Sequence, residues 1–438
     1  WLKSEPSKTE DAAAASRYLW DRHGARPTLA RRAGKPLIFG YLSGILAASY
    51  AAETRNGTPG WEDRSAYRAE TIRSTPEGWE VMLKAYDEIE KLVGHPLFFH
   101  IGMGAFFHAG QGLQKADGSP GKPGDLIKAT AFVSRRFPAV GDFLADGPRE
   151  RFDDMARMTR EAGAEWCEPI HYQYINWGGR FWQPKGTEML RQRWERARAN
   201  NSTLIQFATW NDYTEHTNLA PCYNTRYAVL DLNRYFIEWW KQGVPPKPER
   251  DKLYVFLRKY SDGAPVYPFD SVTPGRNAVV EVTTILTATA QVRLPGRDAH
   301  NYRAPVGLHT HQLPATAGAV AVELVRNDDI VMRLESPEHI SDRPYRTDLG
   351  LVGFSSECEA HWRADFGDTP MLNTSEYGDA DDDGLPNWFE MYWFGTFGDL
   401  STATQADPKA VAPNGKTLLE CYQQQLDPTA QEEEDVEE

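Results

Sequence analysis

The chain has 438 residues, of which 41% are hydrophobic and 12% aromatic, and this composition excludes a largely disordered protein. The net charge of −14 resides in residues 371–438, which hold sixteen acidic residues and two lysines. The other 370 residues balance 46 basic against 46 acidic side chains, so no basic stripe is available to bind nucleic acid.

Residues 35–240 alternate short apolar runs with amphipathic stretches, which indicates repeated strand–helix units. This alternation is typical of the α/β class with a mainly parallel sheet, either a (β/α)8 TIM-like barrel or an open doubly wound sheet. Only five strands are recognisable, so a barrel over residues 1–250 would lack its first units. The predicted strands are residues 36–41, 96–103, 129–133, 168–175 and 204–209, and the predicted helices are residues 78–93, 149–162, 187–199 and 226–243.

The periodicity changes after residues 244–250 (VPPKPER), which are typical of a linker. Residues 277–296 and 318–325 alternate apolar and polar side chains, as antiparallel strands do. We therefore expect an accessory β-sandwich domain over residues 251–370. His309 and His311 lie two residues apart on one strand face, as metal ligands can, but no third ligand is in view, which favours two surface histidines.

The four cysteines, Cys167, Cys222, Cys358 and Cys421, show no metal-ligand spacing. Cys167 and Cys222 both follow strand-like runs, and the sequence leaves open whether they form a disulfide or remain buried thiols. No apolar stretch approaches the ~18 residues that a transmembrane helix needs. The sequence starts at Trp1 without a signal peptide, so we expect either a removed leader or a fragment.

Residues 379–390 (DADDDGLPNWFE) match the loop that surrounds Ca2+ with oxygen ligands. Gly384 permits the sharp turn in the middle of this loop. The predicted ligands, with the main-chain carbonyl at Leu385, are Asp379, Asp381, Asp383, Leu385, Asn387 and Glu390. We expect a module with a structural Ca2+ over residues 371–430; the alternative is an acidic, solvated turn.

A second loop of this kind would end at Glu420, but Lys409, Val411 and Pro413 stand where oxygen ligands are needed, so we expect no metal there. Residues 431–438 (QEEEDVEE) are expected to be disordered. The module resembles the dockerin-like and thrombospondin type-3-like calcium repeats of secreted bacterial proteins. That resemblance implies a location outside the cell and contact with the cell surface or other modules through the C-terminal domain.

Two carboxylates follow the last predicted strand of the parallel sheet, in the segment TLIQFATWNDYTEHTNLAP (203–221). Chemistry gathers at the carboxyl ends of parallel strands, where Asp212 and Glu215 stand. Glycoside hydrolysis needs such a pair, one carboxyl group as acid and the other as base or nucleophile. The alternative is a helix cap followed by a solvated turn.

Aromatic and amide side chains surround this pair in the sequence and favour the functional alternative. Sugar rings stack on aromatic faces, and such residues also end the preceding predicted strand. The predicted substrate-binding residues are Tyr172, Tyr174, Asn176, Trp177, Trp182, Trp210, Asn211, Tyr213 and His216.

The segment 176–221 resembles glycoside hydrolase family 71, the α-1,3-glucanases or mutanases. The residues that carry the resemblance are Trp177 before a glycine-rich loop, Arg193-Trp194 in a helix, and Thr209-Trp210-Asn211-Asp212-Tyr213 and Glu215 after an apolar strand. A weaker likeness covers residues 35–260 and stops before the sandwich and the calcium module. The resemblance implies a (β/α)8 barrel, hydrolysis of α-1,3-glucosidic bonds with inversion, and Asp212 and Glu215 as the catalytic acids.

The chain departs from the family pattern at Thr214, where the family has glycine, and at His216, where the histidine is shifted by one position. The segment FGYLSG (39–44) also lacks the family's glutamate. We hypothesise an extracellular α-glucan hydrolase with Glu215 as acid and Asp212 as base. The alternatives are a non-catalytic carbohydrate-binding or cell-surface protein, and a hydrolase of another α-glycan, resembling endo-α-mannosidases.

Overall fold

The structure is a computed structural model that describes residues 9–40, 76–103, 130–143, 149–176, 180–262, 278–336, 340, 350–357, 379–396, 400–424 and 426–431. It divides into two units. The first comprises Trp1–Tyr172, Leu190–Trp210 and Trp240–Val244, and the second comprises Gln173–Met189, Asn211–Trp239 and Pro245–Glu438. The expected domains over residues 1–250, 251–370, 371–430 and 431–438 stay predictions, and residues 432–438 lie outside the described ranges.

The helices are α1 (Thr9–His23), α2 (Pro76–Val93), α3 (Arg149–Glu161), α4 (Glu188–Ala199), α5 (Ala228–Gln242), α6 (Asn387–Trp393) and α7 (Leu418–Gln424). The strands are β1 (Arg31–Arg32), β2 (Lys35–Gly40), β3 (Phe98–Gly102), β4 (Ala139–Gly141), β5 (Glu165–Ile170), β6 (Tyr174–Asn176), β7 (Arg180–Trp182), β8 (Leu204–Phe207), β9 (Lys252–Arg258), β10 (Val279–Leu286), β11 (Ala290–Arg293), β12 (Tyr302–Ala304), β13 (Gly307–Pro314), β14 (Ala321–Arg326), β15 (Asp329–Glu335) and β16 (Leu351–Ser355).

Among the described residues of the first unit, the strands form a sheet with the order β1-β2-β3-β4-β5-β8. Strand β1 is antiparallel to β2, and every other neighbouring pair is parallel. The parallel strands therefore lie side by side in chain order, whereas a doubly wound sheet reverses its order at a switch point. Of the two arrangements that the sequence leaves open, the structure has the one found in barrels: a mixed α/β fold whose parallel sheet resembles part of a TIM barrel.

Most of the predicted elements of this region are confirmed. The strands predicted at residues 36–41, 96–103 and 204–209 correspond to β2, β3 and β8, although Tyr41 lies outside the described residues. The four predicted helices correspond to α2, α3, α4 and α5, with ends that differ by at most two residues. Helix α1 has no counterpart among the predicted elements.

The strand predicted at residues 129–133 is wrong. Ala129 lies outside the described residues, and residues 130–134 are helical. Thr130, Val133 and Ser134 are buried, and this spacing of three and four residues places them on one helix face. The strand in this part of the parallel sheet is β4, which has three residues, too few to show the alternation of a strand.

The strand predicted at residues 168–175 is two strands in different sheets. Strand β5 ends at Ile170 and pairs with β4 and β8, whereas β6 begins at Tyr174 and forms an antiparallel hairpin with β7. The apolar and aromatic run continues across the break at residues 171–173, so periodicity alone could not reveal it.

The second unit contains two antiparallel four-stranded sheets, with strand orders β13-β10-β9-β16 and β12-β11-β14-β15. Both sheets contribute to one hydrophobic core, for example Val255 and Val282 from the first sheet and Val292 and Leu324 from the second. The antiparallel strands predicted within residues 277–296 and 318–325 are confirmed as β10, β11 and β14. Helices α6 and α7 enclose a separate small core that contains Phe389.

Within the described parts of the chain, no helix is both long and apolar enough to cross a membrane. Cys167 is buried in β5, Cys222 is half-buried, and neither forms a disulfide bond, so of the two alternatives the structure has two thiols. Cys358 lies outside the described residues.

A buried ion pair joins the sheet of the first unit to α4. Glu168 in β5 accepts hydrogen bonds from Arg196 and, at 2.7 Å, from the indole Nε1 of Trp166. The side chains of Glu168 and Arg196 are 0% and 2% exposed. The attraction between the two charges therefore offsets the free-energy cost of removing them from water. Loss of one side chain leaves the other charge buried without its counter-charge.

We predict that Glu168→Gln lowers the free energy of unfolding by about 3–5 kcal/mol, because the Arg196 charge stays buried. The matched control is Glu195→Gln on the same helix, which breaks the exposed ion pair with Arg149 and is expected to cost at most about 1 kcal/mol. Denaturant unfolding measures both. Equal losses for the two variants would contradict a special role of the buried pair.

Candidate active site

Asp212 anchors the turn that follows β8 along the chain. Its Oδ1 accepts hydrogen bonds from the Thr214 hydroxyl at 2.7 Å and from the main-chain N–H of Glu215 at 3.0 Å. The main-chain N–H of Thr217 donates to the Asp212 carbonyl at 3.2 Å. Residues 213–216 form a turn and not a helix, so Asp212 stabilises a turn rather than capping a helix, and these hydrogen bonds fix the direction of its carboxylate.

Glu215 lies three residues further along this turn and is half-buried. Its Oε1 accepts a hydrogen bond from the Tyr174 hydroxyl at 3.1 Å, and its main-chain carbonyl accepts one from the N–H of Ile175 at 3.0 Å. Burial raises the pKa of Glu215 above its usual value, and the negative charge of Asp212 raises it further, while the hydrogen bond from Tyr174 lowers it. Burial is the largest of these effects, so Glu215 holds its proton to a higher pH than an exposed glutamate.

Two carboxyl groups thus share one turn in different surroundings. A half-buried carboxyl with a raised pKa can deliver a proton, and a neighbouring carboxylate can accept one. The turn therefore has the two groups that general acid and general base catalysis of glycoside hydrolysis require.

The aromatic residues predicted to bind substrate fall into exposed and buried groups. Trp210 and Tyr213 are 56% and 51% exposed, which leaves ring surface for a sugar. Trp182 is partly buried, and its ring lies against that of Tyr174, with 4.7 Å between centroids. Tyr172 is 1% exposed, and burial of this degree suits packing rather than contact with a sugar.

The side chains of Asn211 and His216 are described by the structure, whereas those of Asn176 and Trp177 are not. Asn211 is exposed, and His216 is half-buried with a left-handed backbone (φ 53°) that ends the turn. Asn176 lies in β6, but its side chain is not described, and Trp177 lies outside the described residues.

Three buried polar residues of the parallel sheet have no counterpart among the predicted site residues. His100 lies in β3, Asp142 directly follows β4, and His171 directly follows β5; their exposures are 5%, 6% and 1%. Burial lowers the pKa of His100 to about 3 and that of His171 well below its usual value, so both imidazoles are neutral. A polar residue directly after a strand is the sequence signal for such a position. Strand β4 is too short to be recognised from its sequence, so this signal does not single out Asp142.

The acidic loop of residues 379–390 gathers oxygen atoms as a metal site does. Carboxylate oxygens of Asp379, Asp381 and Asp383 all lie within 4.8 Å of one another, so this cluster could hold a metal ion. Glycine stands at the sharp turn, where Gly384 has φ 94°. The Asn387 side chain accepts a hydrogen bond from the N–H of Ala380 at 2.8 Å, and the N–H of Leu385 donates to Asp383 at 2.8 Å.

Glu390 is the buried carboxyl group of this loop, with 0% exposure. Its Oε1 accepts a hydrogen bond from the N–H of Ala406 at 3.1 Å, but its Oε2 has no hydrogen-bond partner. Burial raises the pKa of Glu390 to about 7, and the charges of the three aspartates add to this rise. A bound cation could balance the negative charge of the Glu390 carboxylate and supply the partner that its Oε2 lacks.

Residues 167–349 match the family model described as Glycosyl hydrolase family 71. The matched residues, rather than the whole chain, are assigned as a glycosyl hydrolase family 71 domain. This is a family of O-glycosyl hydrolases, as the motif around Asp212 and Glu215 predicts. The matched region corrects the expected extent of the likeness at both ends, because it begins at residue 167 rather than 35 and continues beyond residue 260 through the strands β10 to β15.

No curated protein matches the sequence. Among solved structures, the chain is similar to the GH99 endo-alpha-mannosidase from Bacteroides thetaiotaomicron, with 13% identity, a TM-score of 0.35 and coverage of 55% of this chain and 64% of that one. The same enzyme in complex with BIS-TRIS-propane gives the same identity and TM-score, with 68% of that chain covered. The chain therefore spans less than two thirds of the first of these structures.

We predict opposite shifts of the Glu215 pKa in two variants. Tyr174→Phe removes the hydrogen bond that favours the ionised carboxylate and raises the pKa, whereas Asp212→Asn removes a repelling charge and lowers it. Carbon-13 NMR titration of labelled glutamate carboxyls measures both shifts, with Glu215→Gln to assign the signal.

The control is Tyr254→Phe, which removes a tyrosine–carboxylate hydrogen bond to Asp231 and leaves Tyr174 in place. It should leave the Glu215 titration unchanged. A downward shift in Tyr174→Phe would contradict the described environment of Glu215.

Proposed function

We propose that this chain is a secreted glycoside hydrolase that cleaves α-1,3-glucosidic bonds of α-glucan with inversion at the anomeric carbon. Glu215 acts as the general acid and Asp212 as the general base. The observation that carries this assignment is the half-buried Glu215 carboxyl, bonded to the Tyr174 hydroxyl and raised in pKa, on the same turn as a second carboxylate.

In the proposed reaction, Glu215 transfers its proton to the glycosidic oxygen while the bond from that oxygen to the anomeric carbon breaks. A water oxygen attacks the anomeric carbon from the opposite face, and Asp212 accepts the proton that this water releases. The new hydroxyl has the inverted configuration. Proton exchange with solvent then returns Glu215 to its acid form and Asp212 to its ionised form.

The substrate assignment is supported by the aromatic residues and by the matched family. Trp210 and Tyr213 expose more than half of their surface on the segment that carries the acids, where rings can stack against glucose units. The family 71 domain and the motif at residues 209–215 favour the α-1,3 linkage. We also propose that the parallel sheet belongs to a (β/α)8 barrel, because its neighbouring strands follow chain order.

The experiment is reducing-sugar release from insoluble α-1,3-glucan, with NMR to identify the anomer that forms first. We predict that Asp212→Asn and Glu215→Gln each lose at least about 100-fold in rate, because each removes a proton-transfer group. The surface control Glu195→Gln should retain the wild-type rate.

Three results would contradict the proposal. Wild-type rates in both active-site variants would contradict the residue roles, and release of the retained anomer would contradict inversion. Hydrolysis of α-mannan without hydrolysis of α-1,3-glucan would contradict the substrate.

We further propose that the loop of residues 379–390 binds a structural Ca2+. Asp379, Asp381, Asp383, Asn387 and Glu390 would supply side-chain oxygens, and Leu385 its carbonyl, while no cofactor takes part in the hydrolysis. The partnerless Oε2 of Glu390 supports this assignment. Loops of this kind order small folds at the millimolar calcium found outside cells, which supports a secreted or cell-surface location.

Calcium should raise the unfolding temperature of the C-terminal module. At ten times its dissociation constant, Ca2+ stabilises the folded state by about 1.4 kcal/mol. We predict that Glu390→Gln abolishes this gain, measured by calorimetry in calcium against chelator. The control is Glu420→Gln, at the corresponding position of the second loop, which should keep the full response. An equal loss in Glu420→Gln would contradict the expectation that only the first loop binds metal.

A further inference from the structure

Hairpin β6–β7 makes two contacts with Glu215. Tyr174 on β6 donates its hydroxyl to the Glu215 carboxyl, and the neighbouring Ile175 donates its main-chain N–H to the Glu215 carbonyl. Tyr174 pairs in register with Trp182 on β7, whose ring lies against it. The position of the proposed acid therefore depends on where this hairpin lies.

One end of the hairpin is tied to β16. Gln173, the residue before β6, is 2% exposed, and its Oε1 accepts a hydrogen bond from the main-chain N–H of Leu351 at 2.9 Å. Leu351 is the first residue of β16. A buried hydrogen bond of this kind is costly to break, because it leaves an unsatisfied main-chain donor.

The chain that follows β7, at residues 185–187, is hydrogen-bonded to β13 and β10. Gln312 on β13 donates its side-chain N–H to the Lys185 carbonyl at 2.9 Å. Glu281 on β10 is 0% exposed and accepts hydrogen bonds from the N–H of Thr187 at 2.9 Å and from Gln312 at 2.8 Å. Gly186 lies directly on Glu281, since an added Cβ would stand 2.5 Å from the Glu281 Cβ, so this turn admits no side chain.

The chain that follows Glu215 is tied to the same sheet. The main-chain N–H of Gly353 in β16 donates to the carbonyl of Asn224 at 2.9 Å. The sheet β13-β10-β9-β16, called here the clamp sheet, therefore contacts both ends of the hairpin and the segment after the proposed acid.

We propose that the clamp sheet is a working part of the active site: Gln173 and Glu281 are positioning residues that hold hairpin β6–β7 so that the Tyr174 hydroxyl stays bonded to Glu215. This inference rests on the proposed function. It gives the antiparallel region a role in hydrolysis, in place of the accessory role expected from its sequence. A small displacement of a catalytic group lowers kcat more than it weakens substrate binding, because the group must meet the reacting atom within a narrow range of distances and angles.

The test is Gln173→Met, which removes the hydrogen-bond acceptor and keeps the length of the side chain. We predict that kcat on α-1,3-glucan falls by about 10- to 100-fold, with a much smaller change in KM. The titratable groups that face Glu215 in the described residues are Tyr174 and Asp212. Release of Tyr174 therefore raises the Glu215 pKa in the NMR titration, in the same direction as Tyr174→Phe.

A double variant separates positioning from general loss of stability. If Gln173 acts through Tyr174, Gln173→Met adds no further shift of the Glu215 pKa in the Tyr174→Phe background. The control is Ser356→Ala, which removes another side-chain acceptor of a main-chain N–H in the clamp sheet, that of Leu253, and should change neither kcat nor the titration.

Glu281→Gln is the second variant, should Gln173→Met fail to fold. Thr187 and Gln312 donate to different oxygens of Glu281, and glutamine replaces one of these acceptors with an NH2 donor, so one hydrogen bond is lost while the shape is kept. An unchanged Glu215 titration in both variants, or additive shifts in the double variant, would overturn the inference. The titration needs no substrate, so it decides the role of the clamp sheet even if the protein fails to hydrolyse α-1,3-glucan.

Discussion

The hydrogen bond from the Tyr174 hydroxyl to Glu215 is the interaction on which the proposed chemistry depends. Burial alone would raise the pKa of Glu215, and the Asp212 charge adds to that rise, but the hydroxyl opposes it and gives the carboxyl a fixed direction. Asp212 is fixed separately, by donors within its own turn. Two carboxyl groups three residues apart thus have different surroundings, which is the condition for one acid and one base.

The compact unit that holds Glu215 also holds the two antiparallel sheets. The family 71 match begins in β5 of the first unit, but most of its residues, up to residue 349, lie in this second unit. A sheet that ties down Gln173 and Thr187 belongs to the same folding and functional entity as the hairpin between them. Glu281 of this sheet is buried, and burial of a carboxylate costs more free energy than burial of an apolar side chain at the same place. Its presence therefore fits a positioning role better than a packing role.

The periodicity of apolar residues within a segment predicts its helix or strand, but it does not predict contacts between residues far apart in the sequence. Helix α5 and strand β8 follow from strong periodicity, and the acid pair follows from its place after β8. Strand β4 has three residues, too few to carry a period, and Asp142 after it was missed for that reason. The contacts that define the site join residues far apart in the sequence: Tyr174 and Glu215 are separated by 41 positions, Gln173 and Leu351 by 178. No pattern within a single segment can reveal such pairs.

The most direct test of the account compares two leaving groups in Glu215→Gln. An α-1,3-linked oligosaccharide needs a proton on its leaving oxygen, whereas α-glucosyl fluoride releases fluoride without one. We predict that Glu215→Gln loses about 10²- to 10⁴-fold in kcat/KM on the oligosaccharide and little on the fluoride, because general acid catalysis supplies a factor of that size. Asp212→Asn, which lacks the base, should lose on both substrates. An equal loss on both substrates in Glu215→Gln would contradict its role as the acid.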